Sequence, residues 1–78
     1  VVESLKSNNY AIGNIDATII CETPKLQPYI NKMTANIADD CECGLNDINI
    51  KATTTEKLGF IGRSEGIAAQ AICLIQAL

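Results

Sequence analysis

The sequence predicts a small α/β or α+β domain that runs helix end, strand, helix, strand, strand. Apolar residues alternate with other residues in one early segment and recur every three or four residues in the next, which predicts a strand followed by a helix. The 78 residues are 47% hydrophobic and 19% charged, a composition typical of folded rather than disordered chains. We therefore expect residues 1–78 to belong to one domain.

The chain begins with the end of a helix followed by a strand. Val1, Val2 and Leu5 share one helical face, and Ser7-Asn8-Asn9 is typical of the turn that ends a helix. The segment Tyr10–Cys21 is rich in β-branched residues and alternates between two faces, which predicts a strand with one buried face. Because the first helix has no capping residue before it, we expect this chain to be the C-terminal part of a longer protein.

The middle of the chain predicts an amphipathic helix. Thr23-Pro24 ends the strand, and apolar residues then recur at helical spacing through Asp39. Gly44 is the residue expected to end this helix. The apolar positions that define the helical face are Ile30, Met33, Ile37 and Ala38.

The last third of the chain predicts two more strands around a glycine-punctuated loop. Ile48–Ala52 is the first of these strands, and Gly59–Gly66 is the loop. Ile67–Leu78 is apolar at nearly every position, so periodicity alone does not separate a strand from a helix there. Its mixture of β-branched residues and alanine behind a glycine favours a strand that is buried on both faces.

Charge and hydropathy exclude several functional classes. The net charge of −3 and the isoelectric point near 4.6 argue against a nucleic-acid-binding groove. No apolar run reaches the roughly 20 residues of a membrane span, and no basic segment precedes a short apolar one as in a signal peptide. We therefore expect an intracellular protein that binds neither nucleic acid nor membrane.

The four cysteines do not have the spacing of a zinc site. Cys21 and Cys73 lie inside apolar runs, whereas Cys41 and Cys43 form a C-x-C pair. The sequence has no histidine, so we expect reduced, unreactive thiols. A chain this short needs additional stabilisation, and oligomerisation or further polypeptide are the remaining sources.

Two segments are candidates for ligand binding. Thr53-Thr54-Thr55-Glu56-Lys57, with Arg63 after it, combines hydroxyls and cations that bind phosphate with a carboxylate that binds a hard cation. The alternative is a threonine-rich strand end with solvated charges, since the glycines match neither a P-loop nor a dinucleotide fingerprint. Cys21–Gln27 leaves backbone groups free for a polar ligand between a strand and a helix, although an ordinary strand-to-helix connection has the same composition.

Longer stretches of the sequence carry a resemblance to a known family. Gly13–Ile20, Pro24-Lys25, Ile48–Phe60, Gly62-Arg63 and Glu65–Ala68 closely resemble the C-terminal half of 2-C-methyl-D-erythritol 2,4-cyclodiphosphate synthases. The string K-A-T-T-T-E-K-L-G-F is close to diagnostic of that family. Within the match, Ile61 replaces a usual threonine and Ser64 a usual glycine, which affects the loop around Arg63.

The resemblance implies a fold and an activity. It implies a mixed sheet with helices on one face, assembled into a homotrimer whose active sites lie between subunits. The implied reaction belongs to non-mevalonate isoprenoid biosynthesis and is that of a phosphorus-oxygen lyase. It converts 4-diphosphocytidyl-2-C-methyl-D-erythritol 2-phosphate to the 2,4-cyclodiphosphate and releases CMP.

The resemblance also implies roles for individual residues. Thr54 corresponds to the group that stabilises the transition state, and Glu56 to the ligand of a magnesium or manganese ion. The family's zinc ligands lie upstream of Val1, so this chain alone is expected to be inactive. The implied substrate-binding residues are Cys21, Glu22, Thr23, Pro24, Lys25, Leu26, Gln27, Thr53, Thr54, Thr55, Glu56, Phe60 and Arg63.

Two further expectations follow from the resemblance. The protein is expected in the bacterial cytoplasm or the plastid stroma. An alternative to the enzyme is a catalytically inactive fragment that binds a cytidine nucleotide or only assembles the trimer.

Overall fold

The computed structural model describes residues 1–78 and contains a three-stranded sheet in the order β2-β1-β3. The central strand β1 is Tyr10–Ile20, β2 is Ile48–Thr53 and β3 is Ala68–Ala77. β1 pairs in parallel with β2 and antiparallel with β3. The sheet is therefore mixed, as predicted. No helix has the length and hydrophobicity needed to cross a membrane.

Three α-helices accompany the sheet, and the predicted order of elements is confirmed. Helix α1 is Val2–Ser7, α2 is Ile30–Cys41 and α3 is the single turn Gly59–Gly62. The turn α3 lies inside the segment expected to be a loop only. Short 3-10 turns at Gln27–Tyr29 and Leu45–Asp47 precede α2 and β2.

The core lies between α2 and one face of the sheet. Ala38 on α2 packs with Ile48 and Ile50 on β2, and each is less than 9% exposed. Ile15, Ala17 and Ile19 from β1 join them, together with Ile30, Met33, Ile37 and Cys43 from α2 and its C-terminal end. The alternation predicted for β1 is thus confirmed, because its odd-numbered residues face the core.

Helix α2 ends at Cys41 with Glu42 as its C-cap, so the prediction that Gly44 ends it is wrong. Glu42 adopts the left-handed conformation with φ 56°, and the next residue, Cys43, donates its N–H to the Ala38 carbonyl at 3.1 Å. The Glu42 carboxylate also forms a salt bridge of 2.6 Å with Lys6 of α1. Gly44 has extended backbone and donates its N–H to Asp47 at 3.1 Å.

The prediction that Ile67–Leu78 is buried on both faces is wrong for this chain. The segment is a strand, as favoured by its composition, but β3 is an edge strand that α2 does not cover. Its apolar side chains are therefore exposed, among them Ile72 at 67% and Leu74 at 61%. Pairing with β1 satisfies the backbone of β3 on one side only, and burial of its side chains requires another surface.

The pairing of β1 with β3 contains a bulge at Gly13. The register shifts between Ile12 and Asn14, and a side chain at Gly13 would lie 3.2 Å from the Leu74 carbonyl oxygen. Glycine therefore fits the close backbone approach at this bulge.

Candidate functional site

A groove lies where the two parallel strands end. β1 and β2 finish side by side, with Ile20 opposite Thr53. The carboxyl ends of parallel strands are the usual place for ligands in α/β sheets, because the connecting loops diverge there. The groove has a volume of about 190 Å³, and its lining residues are Cys21, Glu22, Lys25, Leu26, Gln27, Ala52, Thr53 and Thr54.

The first wall of the groove is the segment that follows β1. Cys21 donates its backbone N–H to the Thr53 carbonyl at 3.0 Å, which fixes this segment beside the end of β2. The Cys21 thiol is buried and donates to the Thr23 carbonyl at 3.1 Å. The thiol therefore contributes to the conformation of the loop that forms this wall.

This wall presents unused hydrogen-bond donors. The backbone N–H groups of the lining residues Glu22, Lys25 and Leu26 donate no hydrogen bond to another backbone group. The exposed Lys25 side chain adds a cation at the same place. A polar or anionic ligand in the groove therefore finds several donors that the fold has left free.

The second wall carries the three threonines, whose hydroxyls differ in availability. Thr54 Oγ1 accepts the Glu56 backbone N–H at 3.2 Å, so its own proton remains free to donate. The Thr55 hydroxyl donates to the Leu58 carbonyl at 2.6 Å. The Thr53 hydroxyl makes a longer contact of 3.4 Å with the Thr54 carbonyl. Thr54 is therefore the hydroxyl best placed to donate to a ligand.

A strained turn follows the threonines. The Leu58 N–H donates to the Thr55 carbonyl at 3.1 Å, and the two central residues, Glu56 and Lys57, have φ of 56° and 66°. Positive φ at both central positions is typical of a type I′ turn, which favours glycine or asparagine. Each such residue with a longer side chain costs of the order of 1–3 kcal/mol, so neighbouring contacts must hold this turn.

The structure brings most of the predicted site residues together, with exceptions. Thr23 and Pro24 are exposed beside the groove and do not line it. Thr55 and Glu56 lie in the turn that follows β2 and are also outside the groove lining. Phe60 and Arg63 lie in the α3 loop outside the groove lining. The Phe60 ring lies against Gly66, and the Arg63 guanidinium forms an ion pair with the Glu65 carboxylate.

Sequence reasoning did not assign Ala52 to the site, although Ala52 lines the groove. It named Lys57 only as a cation for phosphate, whereas the backbone of Lys57 is held by Glu22 on one side and approached closely by Gly62 on another. Side chains alternate between the two faces of β2, so Ala52 lies on the same face as Ile50. This alternation could have predicted that Ala52 faces the same side of the sheet as the groove. No sequence pattern joins Lys57 to Glu22, because that contact depends on how two loops meet.

The donor set limits which metal ions fit this chain. No three His, Cys, Asp or Glu side chains lie close enough to bind a metal ion together. A zinc site therefore does not fit these residues. The Glu56 carboxylate is exposed and fits a magnesium or manganese ion, since such ions commonly use one or two carboxylates together with substrate phosphates.

Two titrating groups outside the groove are perturbed. The hydrogen bond from Lys51, at 2.5 Å, lowers the pKa of Asp16. Partial burial raises the pKa of Cys43, and the neighbouring Cys41 contributes in the same direction. Asp16 pairs with Asn49 on the sheet face opposite α2, and none of these residues lines the groove.

Comparisons with known proteins agree on one family. A model of the YgbB family matches residues 1–76. The 2-C-methyl-D-erythritol 2,4-cyclodiphosphate synthase of Methylobacillus flagellatus is 59% identical over 76 residues, which are 97% of this chain and 48% of that protein. The enzyme of the same name from Actinobacillus succinogenes is 58% identical over 71 residues, covering 91% of this chain and 45% of that protein. The chain therefore spans about half the length of these relatives.

Solved structures show the same likeness. The 2C-methyl-D-erythritol 2,4-cyclodiphosphate synthase of Plasmodium vivax superposes with a TM-score of 0.95 at 30% identity, covering 99% of this chain and 51% of that one. A CDP complex of IspF from Plasmodium falciparum has a TM-score of 0.88 at 30% identity, covering 95% of this chain and 47% of that one.

Proposed function

Because the chain belongs to the YgbB family, we propose that residues 1–78 form the C-terminal part of a 2-C-methyl-D-erythritol 2,4-cyclodiphosphate synthase. The complete enzyme converts 4-diphosphocytidyl-2-C-methyl-D-erythritol 2-phosphate to the cyclic diphosphate. The 2-phosphate attacks the β-phosphorus, the bond from that phosphorus to the bridging oxygen breaks, and CMP leaves.

The observation that carries this proposal is the meeting of Cys21–Gln27 and Thr53–Thr54 in one groove. Free backbone N–H groups on one wall suit the polar edge of a cytosine base. The Thr54 hydroxyl on the other wall suits a phosphate. The similar structure from Plasmodium falciparum is a CDP complex, which supports a nucleoside diphosphate as the ligand class.

Within the reaction, Thr54 and Glu56 act on the phosphates. The Glu56 N–H occupies the acceptor side of the Thr54 hydroxyl, which directs its proton outward to a phosphate oxygen whose charge grows in the transition state. The Glu56 carboxylate holds a magnesium or manganese ion, which when bound neutralises phosphate charge. Positioning and charge neutralisation supply most of the catalysis in phosphoryl transfer.

The exposed apolar side chains of β3 support a homotrimer. Ile72 and Leu74 lie on one face of this edge strand and Ile75 on the other, and each is about half or more exposed. Exposed apolar surface of this kind marks an interaction site. Subunits packed through β3 would bury these side chains. The same surface also fits the alternative function, an inactive assembly fragment, so assembly alone does not distinguish the two.

The proposal is tested with the complete protein that contains this chain. We expect CDP at one hundred times its Kd to stabilise the protein by about 2.7 kcal/mol, measured as a thermal shift, with UDP and pyrophosphate as controls. We expect ³¹P NMR to detect the cyclic diphosphate and CMP when the substrate is supplied. Binding of CDP without turnover would favour the inactive fragment, and equal shifts with pyrophosphate and CDP would contradict a cytidine site.

A further inference from the structure

We propose that Glu22 is a positioning residue, which holds the Thr55–Leu58 turn so that Glu56 and Thr54 face the same phosphates. This inference rests on the proposed function, because it assigns Glu22 a task in the same reaction. It differs from the role that the resemblance implies for Glu22, which is contact with the substrate.

The first observation is a hydrogen bond between two loops. The Lys57 backbone N–H donates to Glu22 Oε1 at 2.7 Å. Glu22 follows β1 and Lys57 follows β2, so this bond joins the two walls of the groove beyond the ends of the strands. An ionised acceptor makes a stronger hydrogen bond than a neutral one. The bond is therefore well suited to hold a turn whose backbone is strained.

The second observation is the burial of one oxygen of the Glu22 carboxylate. This oxygen, Oε2, is buried and has no hydrogen-bond partner. Leaving a buried polar atom without a partner is costly and requires a compensating contact. The bond from Lys57 is the hydrogen bond that this carboxylate receives within the chain, so it accounts for the position of the side chain.

The third observation is that Lys57 is confined from another side. A Cβ atom at Gly62 would lie 2.2 Å from the Lys57 carbonyl carbon and 2.6 Å from its Cα. The backbones of these two residues are thus in close contact, and Lys57 cannot relax toward Gly62. Loss of the Glu22 acceptor should therefore release the turn on the Glu22 side.

The turn transmits this position to the reacting groups. Glu56 directly precedes Lys57, and its N–H donates to Thr54 Oγ1 at 3.2 Å. A displaced turn changes both the direction of the Thr54 hydroxyl and the position of the Glu56 carboxylate. Glu22 thereby acts on catalysis through Lys57, without touching the reacting atoms.

The test compares three variants of the complete protein. Glu22→Leu keeps most of the side-chain volume of the groove wall but cannot accept the Lys57 N–H. Glu22→Gln keeps an acceptor oxygen, and Asp40→Asn is the charge control because Asp40 is exposed on α2 and does not line the groove. The measurements are kcat, the magnesium concentration for half-maximal turnover, the Kd for CMP, and hydrogen exchange of the Lys57 amide.

We expect Glu22→Leu to lower kcat by about tenfold or more and to raise the magnesium requirement, with the Kd for CMP within about threefold of the original value. Exchange of the Lys57 amide should accelerate by about tenfold or more. Glu22→Gln and Asp40→Asn should stay within about threefold of the original kcat. Normal turnover in Glu22→Leu, or equal loss in Glu22→Gln, would overturn the proposal.

A measurement on the unchanged protein covers the case in which Glu22→Leu does not fold. We expect an NMR scalar coupling across the hydrogen bond, between the Lys57 amide nitrogen and the carboxyl carbon of the Glu22 side chain. Absence of this coupling would refute the contact. If the unchanged protein binds no CDP, the proposed function fails, whereas this NMR result still reports on the Glu22–Lys57 bond.

Discussion

Replacing Gly62 by alanine tests whether the Lys57 turn is held by close backbone contact. The added Cβ would lie 2.2 Å from the Lys57 carbonyl carbon, 2.6 Å from its Cα and 2.8 Å from its carbonyl oxygen. All three neighbours are backbone atoms, so no side chain can rotate out of the way. The α3 turn or the Lys57 turn must move as a whole.

The size of the effect follows from these distances. Ordinary contact begins at 3.4 Å, so the nearest pair must separate by about 1.2 Å. Steric overpacking of this kind costs about 1–3 kcal/mol. A shift of that size also disturbs the 2.7 Å hydrogen bond from Lys57 to Glu22, and a bond to a charged acceptor contributes about 1.5–3 kcal/mol. We therefore expect Gly62→Ala to lower the free energy of unfolding by about 2.5–6 kcal/mol.

The assay is urea unfolding of the complete protein at one fixed protein concentration, because oligomers unfold in a concentration-dependent way. The expected result is a lower midpoint with an unchanged m-value. Gly66→Ala is the matched control, since its Cβ would meet only the Phe60 ring at an ordinary 3.4 Å, and we expect a change within about 0.5 kcal/mol. Equal stability of the two variants would refute the close contact between Gly62 and Lys57.

Three further changes test the site, the core and the polar sheet face. Glu56→Gln should lower kcat/KM by about 10² or more, equivalent to about 2.7 kcal/mol, with partial rescue by added magnesium; normal turnover at limiting magnesium would exclude Glu56 as the ligand. Ile50→Ala, at a site 7% exposed, should cost about 2–5 kcal/mol in thermal or urea unfolding, whereas Leu45→Ala, at 59% exposed, should cost about 0.5 kcal/mol or less. In the folded protein, the hydrogen bond from Lys51 lowers the pKa of the Asp16 carboxyl below its ordinary 3.8. The ionised Asp16 therefore stabilises the fold at pH values above the pKa that it has in the unfolded chain, and this stabilisation is lost as the pH falls through its folded-state pKa. As the pH is lowered, Asp16→Asn should therefore lose less stability than the unchanged protein, measured by unfolding at several acidic pH values. The same pH dependence in both proteins would contradict a stabilising bond between Lys51 and Asp16.

The elements of the fold were largely predictable because they depend on local patterns. The alternation in Tyr10–Cys21 and the helical spacing from Ile30 onward each reflect one buried face, and burial of a face has a fixed period in a strand or a helix. The end of α2 was not predictable in the same way. Glycine is the usual left-handed residue there, but Glu42 takes that place, where its side chain also pairs with Lys6.

The strand Ile67–Leu78 shows why burial is harder to predict than secondary structure. An apolar segment predicts that something covers it, but not what covers it. In this chain β3 lies at the edge of the sheet and α2 packs over the other strands, so the apolar side chains of β3 remain exposed. The burial of a side chain depends on which other elements or subunits pack against it, and the sequence of its own segment does not specify these.

The sequence by itself determined the family, the order of the elements and the two segments that form the groove. These features were predictable because the periodicity of a strand or a helix depends only on neighbouring residues. The family was predictable because K-A-T-T-T-E-K-L-G-F is one continuous segment of the sequence. Only the tertiary structure decided which threonine hydroxyl is free, that Glu22 accepts the Lys57 N–H, and that Gly62 has no room for a side chain. The Glu22–Lys57 bond joins residues that are 35 positions apart in the chain, so it depends on how two loops pack after the strands have paired. The other two features depend on the backbone conformation of the Thr55–Leu58 turn, whose residues with positive φ are not of the types that favour it.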